Sequence, residues 1–229
     1  MNIEIIPTVL VKTFKEVEER IRKVEDYVNW VQLDIMDGIF CCNETWPYYA
    51  PNGASKGKRN PSDLKSLKTR VKIEAHLMVN KPEDVIDDWL KAADRVIIHF
   101  ESKITNRELG IREMIKKAHK KKKEIGLALN PETHPVVVVP FLKDLDLVLF
   151  MTVQPGWGGQ EFKDWVLTKI EVLRKLWPKG NIEVDGGINS ETAKKTIKAG
   201  ANLICVGTYV YKSRDIKKAI QNLKRFCCS

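Results

Sequence analysis

Three side chains that can hold a proton or a metal stand at matching places in three short apolar runs. In Trp30-Val31-Gln32-Leu33-Asp34-Ile35-Met36, the residues Val31, Leu33 and Ile35 are aliphatic and the intervening set is Gln32, Asp34 and Met36. The next run alternates Ile73, Ala75 and Leu77 with Glu74, His76 and Met78, and a third alternates Ile182 and Val184 with Glu183 and Asp185. Successive side chains of a strand face opposite ways, so each run turns its aliphatic set one way and its polar set the other. Asp34, His76 and Asp185 brought into one cavity would be costly to bury without a cation or a substrate. Two carboxylates flanking a bound carbon could also invert it. One would remove a proton from one face and the other would return a proton to the opposite face. Burial beside a like charge would raise the pKa of one acid towards a value suited to proton transfer.

A second chemistry is written in glycine. Gln154-Pro155-Gly156-Trp157-Gly158-Gly159-Gln160, Asp185-Gly186-Gly187 and Gly207-Thr208 each follow an apolar run and precede a helical pattern. Glycines at such turns let backbone N–H groups converge on an anion. Met36, Met78 and Met151 end their runs on the inward side, where soft apolar side chains would keep water from a planar, electron-rich intermediate.

The elements that must position these residues alternate along the chain. Strands are expected at 3–6, 30–35, 71–77, 95–99, 125–129, 147–151, 181–184 and 203–206. Helices are expected near 13–26, 61–67, 82–92, 105–122, 134–142, 163–176, 190–199 and 213–226. Ser190 before Glu191 reads as a cap, Pro82 between Lys81 and Glu83 as a first-turn proline, and Gly200 as a helix stop. Eight strand–helix repeats in 229 residues give the count of a (β/α)8 TIM barrel. An open doubly wound sheet is the alternative, but it shows an early glycine-rich turn after strand 1, and here strand 1 runs into Pro7-Thr8. No linker divides the chain, so 1–229 reads as one barrel domain with an extended loop at about 39–60. In such a barrel active sites sit at the C-terminal strand ends, and phosphate is held after strands 7 and 8. Asp34 and Asp185, three strand steps apart, would lie about 135° from one another around the ring.

Composition narrows the classes. With 43% hydrophobic and 30% charged residues, the chain reads as an ordinary soluble protein. The net charge of +9 makes anionic partners plausible, yet it is spread out. Its one dense run, Lys116, Lys117, Lys120, Lys121, Lys122 and Lys123, reads as a solvated helix end that complements the helix dipole. No nucleic-acid motif accompanies it, so no nucleic-acid partner is expected. No apolar run approaches the length of a membrane span. Glu4 interrupts the first apolar stretch, which argues against a signal peptide. Five cysteines, Cys41, Cys42, Cys205, Cys227 and Cys228, lack C-x-x-C spacing, which fits a reducing cytoplasm. Oligomeric state is left open, a homo-oligomer included.

Taken together, Leu33-Asp34-Ile35-Met36-Asp37-Gly38, His76-Leu77-Met78-Val79, Asn130-Pro131-Glu132-Thr133, the stretch Met151-Thr152-Val153-Gln154-Pro155-Gly156 with its following Trp157-Gly158-Gly159-Gln160, and Glu183-Val184-Asp185-Gly186-Gly187-Ile188 resemble the ribulose-phosphate 3-epimerase family almost end to end. The resemblance implies interconversion of the C3 epimers of a ketopentose 5-phosphate through an enediolate, with a divalent metal: zinc, iron, manganese or magnesium. It implies Asp34 and Asp185 as acid and base, and Asp34, His76 and Asp185 as metal ligands. It implies Thr8, His76, Met36, Met78 and Met151 at the sugar, and Gly156, Trp157, Gly158, Gly159, Gly186, Gly187, Gly207 and Thr208 at the phosphate. Trp157 stands where the family has phenylalanine, Thr8 and Thr208 where it has serine, and residues 41–60 follow the pattern only loosely, around Asn43 and Thr45.

The main departure is Gln32, in the place of a histidine ligand. An amide oxygen is a harder and weaker ligand for zinc or iron than an imidazole nitrogen. Three arrangements stay open: a metal held through Gln32 Oε1, weakly or with a preference for manganese or magnesium; a metal with three protein ligands and water; or no metal, with the two acids sharing a proton. Beside the epimerase stands a second reading, a non-catalytic or catalytically altered sugar-phosphate-binding protein of the same family. A decarboxylase or aldolase of related barrels would need a lysine two residues after Asp34, where this chain has Met36.

Overall fold

A computed structural model describes residues 3–49 and 60–225. Eight parallel strands close on themselves in chain order: β1 Glu4–Val9, β2 Trp30–Met36, β3 Lys72–Met78, β4 Arg95–His99, β5 Glu124–Leu129, β6 Leu147–Met151, β7 Asn181–Asp185 and β8 Leu203–Val206. All eight expected strands are present, and β1 runs on through Pro7 to Val9. Pro7 sits near the end of the strand, paired in register with Val206, where its missing N–H costs a single ladder donor.

The outer layer is less regular than the expected helices. The α-helices are α1 Phe14–Val24, α2 Ile86–Ala92, α3 Arg107–Lys120, α4 Val166–Leu176, α5 Ser190–Ala199, α6 Thr208–Tyr211 and α7 Ile216–Lys224. Residues Pro61–Ser66 and Pro135–Phe141 form 3-10 turns instead of α-helix. In the second of these, four consecutive β-branched valines and Pro140, which lacks an N–H, disfavour the α pattern. The cap of α5 is Asn189, not Ser190: its side chain accepts from the N–H groups of Glu191 and Thr192. Gly200 ends that helix at φ 116°, as expected. Among the described residues, no helix is long and apolar enough to cross a membrane.

Strand alternation sorts the core into two shells. Val31, Leu33, Ile35, Ile73, Ala75, Leu77, Ile182 and Val184 face the helices, while Ile6, Trp30, Ile97, Leu147, Leu149 and Leu203 fill the barrel. Four of the six lysines of the run, Lys116, Lys117, Lys120 and Lys122, are exposed, and part of the run is also paired. Lys117 and Lys121 reach Asp87 at 2.9 and 3.2 Å, and Lys123 lies 3.7 Å from Asp94, so the run ties α3 to its neighbours. Of the loop after β2, residues 50–59 lie outside the described residues, as do Cys227 and Cys228. The described part folds back over the barrel and plants Trp46 between Phe14 and Trp89, at ring-centroid distances of 5.3 and 6.0 Å.

Candidate active site

The register of β2 and β3 pairs Asp34 with His76, Gln32 with Glu74 and Met36 with Met78, and β6–β7 pairs Met151 with Asp185. The polar parity of each strand therefore delivers its side chains to one hollow at the C-terminal end of the barrel. Thr8, Asp34, Met36, Met78, Met151 and Asp185 all line that cavity. So do Gly156, Trp157, Gly158, Gly159, Gly186, Gly187, Gly207 and Thr208. Gln32 and His76 lie just beneath it, both fully buried.

The two acids, expected on different sides of the ring, converge on one amide. Gln32 Nε2 donates to Asp34 Oδ1 at 2.9 Å and to Asp185 Oδ2 at 3.0 Å. His76 Nδ1 lies 3.1 Å from Asp34 Oδ1 and 3.8 Å from Asp185 Oδ2. Burial first, and the charge of Asp34 second, push Asp185 up to about 7. Burial alone would push His76 down, but its hydrogen bond to Asp34 and the charges of both aspartates outweigh it and raise its pKa.

Behind His76 runs a chain that sequence reading missed. His76 Nε2 is 2.8 Å from His99 Nε2, and His99 Nδ1 is 3.3 Å from Glu101 Oε2. Burial holds His99 neutral, with a pKa down to about 4. It then donates through Nδ1 to Glu101 and accepts at Nε2 from His76, which leaves His76 Nδ1 aimed at Asp34. Glu101 is itself held by the Asn130 N–H at 2.8 Å and by the Thr133 hydroxyl. The parity argument applied to Val96 and Ile98 would have turned His99 inward.

Thr45, seen in the sequence only as part of a loosely matching loop, clamps the end of β2. Its hydroxyl donates to the Asp34 carbonyl at 2.6 Å and accepts from the Met36 N–H at 2.9 Å. Asn43 Nδ2 donates to the Gly156 carbonyl at 2.8 Å, which joins the loop after β2 to the glycine turn after β6.

Two glycines lining the cavity are closely hemmed in. A Cβ on Gly207 would meet Thr8 Oγ1 at 2.7 Å. Gly187 has φ 63°, and a Cβ there would meet the backbone N and Cα of Phe162 at 2.9 and 3.0 Å. Gly187→Ala is expected to lower stability by at least about 1–2 kcal/mol, read by urea unfolding. It should also weaken inhibition by inorganic phosphate, because the turn must shift. An alanine variant with unchanged stability and unchanged phosphate inhibition would contradict that account of the turn.

The donor chemistry fits a divalent cation. Asp34, His76 and Asp185 offer ligand atoms within 4.8 Å of one another, all buried. The N–H groups of Gln32 turn their positive ends on the two carboxylates, as a cation between them would turn its charge.

Comparison with known proteins gives a consistent picture. Residues 4–211 match the model of the ribulose-phosphate 3 epimerase family. The ribulose-phosphate 3-epimerase of Schizosaccharomyces pombe is 36% identical over 224 residues, covering 96% of this chain and 92% of that protein. The Bacillus subtilis protein of the same name is 37% identical over 232 residues, covering 97% and 98%. Among solved structures, 3-hexulose-6-phosphate synthase from Salmonella typhimurium superimposes with a TM-score of 0.70 at 18% identity, covering 98% of this chain and 98% of that one. At that identity the likeness speaks for the barrel fold alone.

Proposed function

The chain belongs to the ribulose-phosphate 3-epimerase family, and from that premise we propose that it is an isomerase interconverting D-ribulose 5-phosphate and D-xylulose 5-phosphate. The observation that carries this reading is the meeting of Asp34 and Asp185 across a single buried amide, at the floor of a cavity walled by glycine turns.

Epimerisation through two acids needs one proton between them at the start. In the metal-free chain, burial and the charge of Asp34 push Asp185 up to about 7, so the pair keeps one proton near neutral pH. The ionised carboxylate takes the C3 proton, and the electron pair of the broken C–H bond moves into an enediolate with its charge on the C2 oxygen. The protonated carboxyl then returns a proton to the other face of C3, and the pair is left with its proton on the opposite partner. Exchange of that proton with solvent and between the two carboxyl groups resets the pair for the next turnover. Met36, Met78 and Met151, buried around the two acids, exclude water from the planar intermediate. The glycine turns after β6, β7 and β8 hold the 5-phosphate through backbone N–H groups.

Asp34, His76 and Asp185 would hold the divalent metal. When bound, it supplies Lewis-acid polarisation of the C2 carbonyl and stabilises negative charge on its oxygen. The His99–Glu101 pair fixes the ring of His76 for that role. Free thiols at Cys41, Cys42 and Cys205 support the assignment to a reducing, cytoplasmic setting.

The test is solvent exchange. Purified protein in deuterium oxide with D-ribulose 5-phosphate is expected to place deuterium at C3, read by proton NMR. Absence of exchange with every added divalent metal would overturn the reading.

A further inference from the structure

This inference deepens the metal assignment above and rests on it. Gln32 is fully buried, and every polar atom of its amide is engaged. Its two N–H bonds go to Asp34 and Asp185, and its Oε1 accepts from the Cys205 thiol at 3.3 Å. Cys205 Sγ, on β8, is also 3.0 Å from Glu183 Oε1. A cation lodged between the two carboxylates would face the positive ends of the Gln32 N–H bonds. That arrangement is repulsive, and the amide has a way out of it.

The two ends of an amide have nearly the same shape and opposite hydrogen-bonding character. Turned over about its terminal torsion, Gln32 would present Oε1 to the cation and Nε2 to Cys205. A thiol can meet either end. Its S–H donates to the amide oxygen in one state. In the other, its sulfur accepts from the amide N–H while the S–H goes to Glu183 Oε1. The inner end of the amide thus meets a partner on Cys205 in either orientation, which favours access to both. An aliphatic side chain at 205 would satisfy neither.

With the amide turned, the protein donors are three oxygens, from Asp34, Asp185 and Gln32, and one imidazole nitrogen, from His76. Oxygen-rich sets suit magnesium and manganese, and imidazole-rich sets suit zinc. We propose that Gln32 is a swivelling fourth ligand with Cys205 as its pivot, and that the pair biases the centre towards manganese or magnesium and away from zinc.

The test uses the full chain, stripped of metal and titrated with MnCl2, MgCl2 and ZnCl2 by calorimetry, with far-UV circular dichroism as the folding control. Gln32→His is expected to raise the ratio of zinc to manganese affinity tenfold or more. Cys205→Val should weaken manganese binding about tenfold in the wild-type background and change it little when combined with Gln32→His. Cys205→Ser, which keeps a donor and an acceptor, should stay within a few-fold of wild type. Independently of any variant, the side-chain amide NMR signals of Gln32 should shift on adding MgCl2. An unchanged metal ratio in Gln32→His, equal weakening by Cys205→Val in both backgrounds, or a silent Gln32 amide would each overturn the swivel. A wild-type chain that binds no divalent cation would instead overturn the metal assignment itself, and the swivel with it.

Discussion

Deuterium will enter C3 of the ketose at least about 10²-fold, and up to 10⁴-fold, more slowly when Asp185 is replaced by asparagine, the range that a positioned acid–base group contributes. Asp34→Asn should fall in the same range, because each acid acts once in every turnover. Asparagine preserves the shape of the carboxylate and leaves Gln32 a partner, so the loss will be one of chemistry and not of folding. Asp185→Asn within tenfold of wild type would refute the two-acid scheme. The same variant carries a second signature. In the metal-free chain the folded state keeps a proton on Asp185 up to about pH 7, whereas the ordinary value is 3.8. Between those values the folded state binds more protons than the unfolded one, so stability falls as pH rises through the window and stays lowered above it. Asp185→Asn removes that loss. It is expected to be more stable than wild type at pH 8, by on the order of a few kcal/mol, with the gain vanishing below about pH 4. Urea unfolding at the two pH values checks it.

The largest loss of stability is expected one layer below the aspartates. Arg95 is 5% exposed and lies with its guanidinium 4.0 Å from the centroid of the Trp30 ring. It pairs with Glu74 at 2.6 Å and with Glu124 at 2.6 Å, and Glu183 is 3.8 Å away. Burial, and then the charge of Glu74, push Glu183 well above the usual carboxylate range, so Glu183 holds a proton beside the Arg95–Glu74 ion pair. A proton on Glu183 also answers the otherwise unpartnered oxygens Glu183 Oε2 and Glu74 Oε1. Arg95→Met strands the buried charge of Glu74, and breaking such a pair costs about 3–5 kcal/mol. Adding Glu74→Gln should return more than half of that. Arg95→Lys keeps one charge but cannot reach both carboxylates, and should fall between the two. An Arg95→Met chain within about 1 kcal/mol of wild type in urea unfolding would show that this network is not what fixes the floor of the site.

Much of this site could be read from the chain because strand alternation is a local property. Once Val31, Leu33 and Ile35 are assigned to one face, Gln32, Asp34 and Met36 must take the other, and the same parity places His76 and Asp185. The fold class followed from counting alternations, since a parallel strand needs a crossover before its neighbour. The helical layer was less readable. A run such as Pro135–Phe141 has no strong local preference, and its 3-10 path and the cap by Asn189 depend on backbone detail that hydrophobic periodicity does not carry.

What the sequence determined by itself is the inventory: which acids, which imidazole and which glycine turns reach the mouth of a barrel. Closure of the ring decided the rest. It brought β8 beside β1 and so set Cys205 against Gln32, 173 positions away in the chain. It also carried Asp185, on β7, to the Gln32 amide that holds Asp34, on β2. Those contacts depend on strand tilt and stagger, which relate residues far apart in the chain, and no local pattern encodes a distance between them.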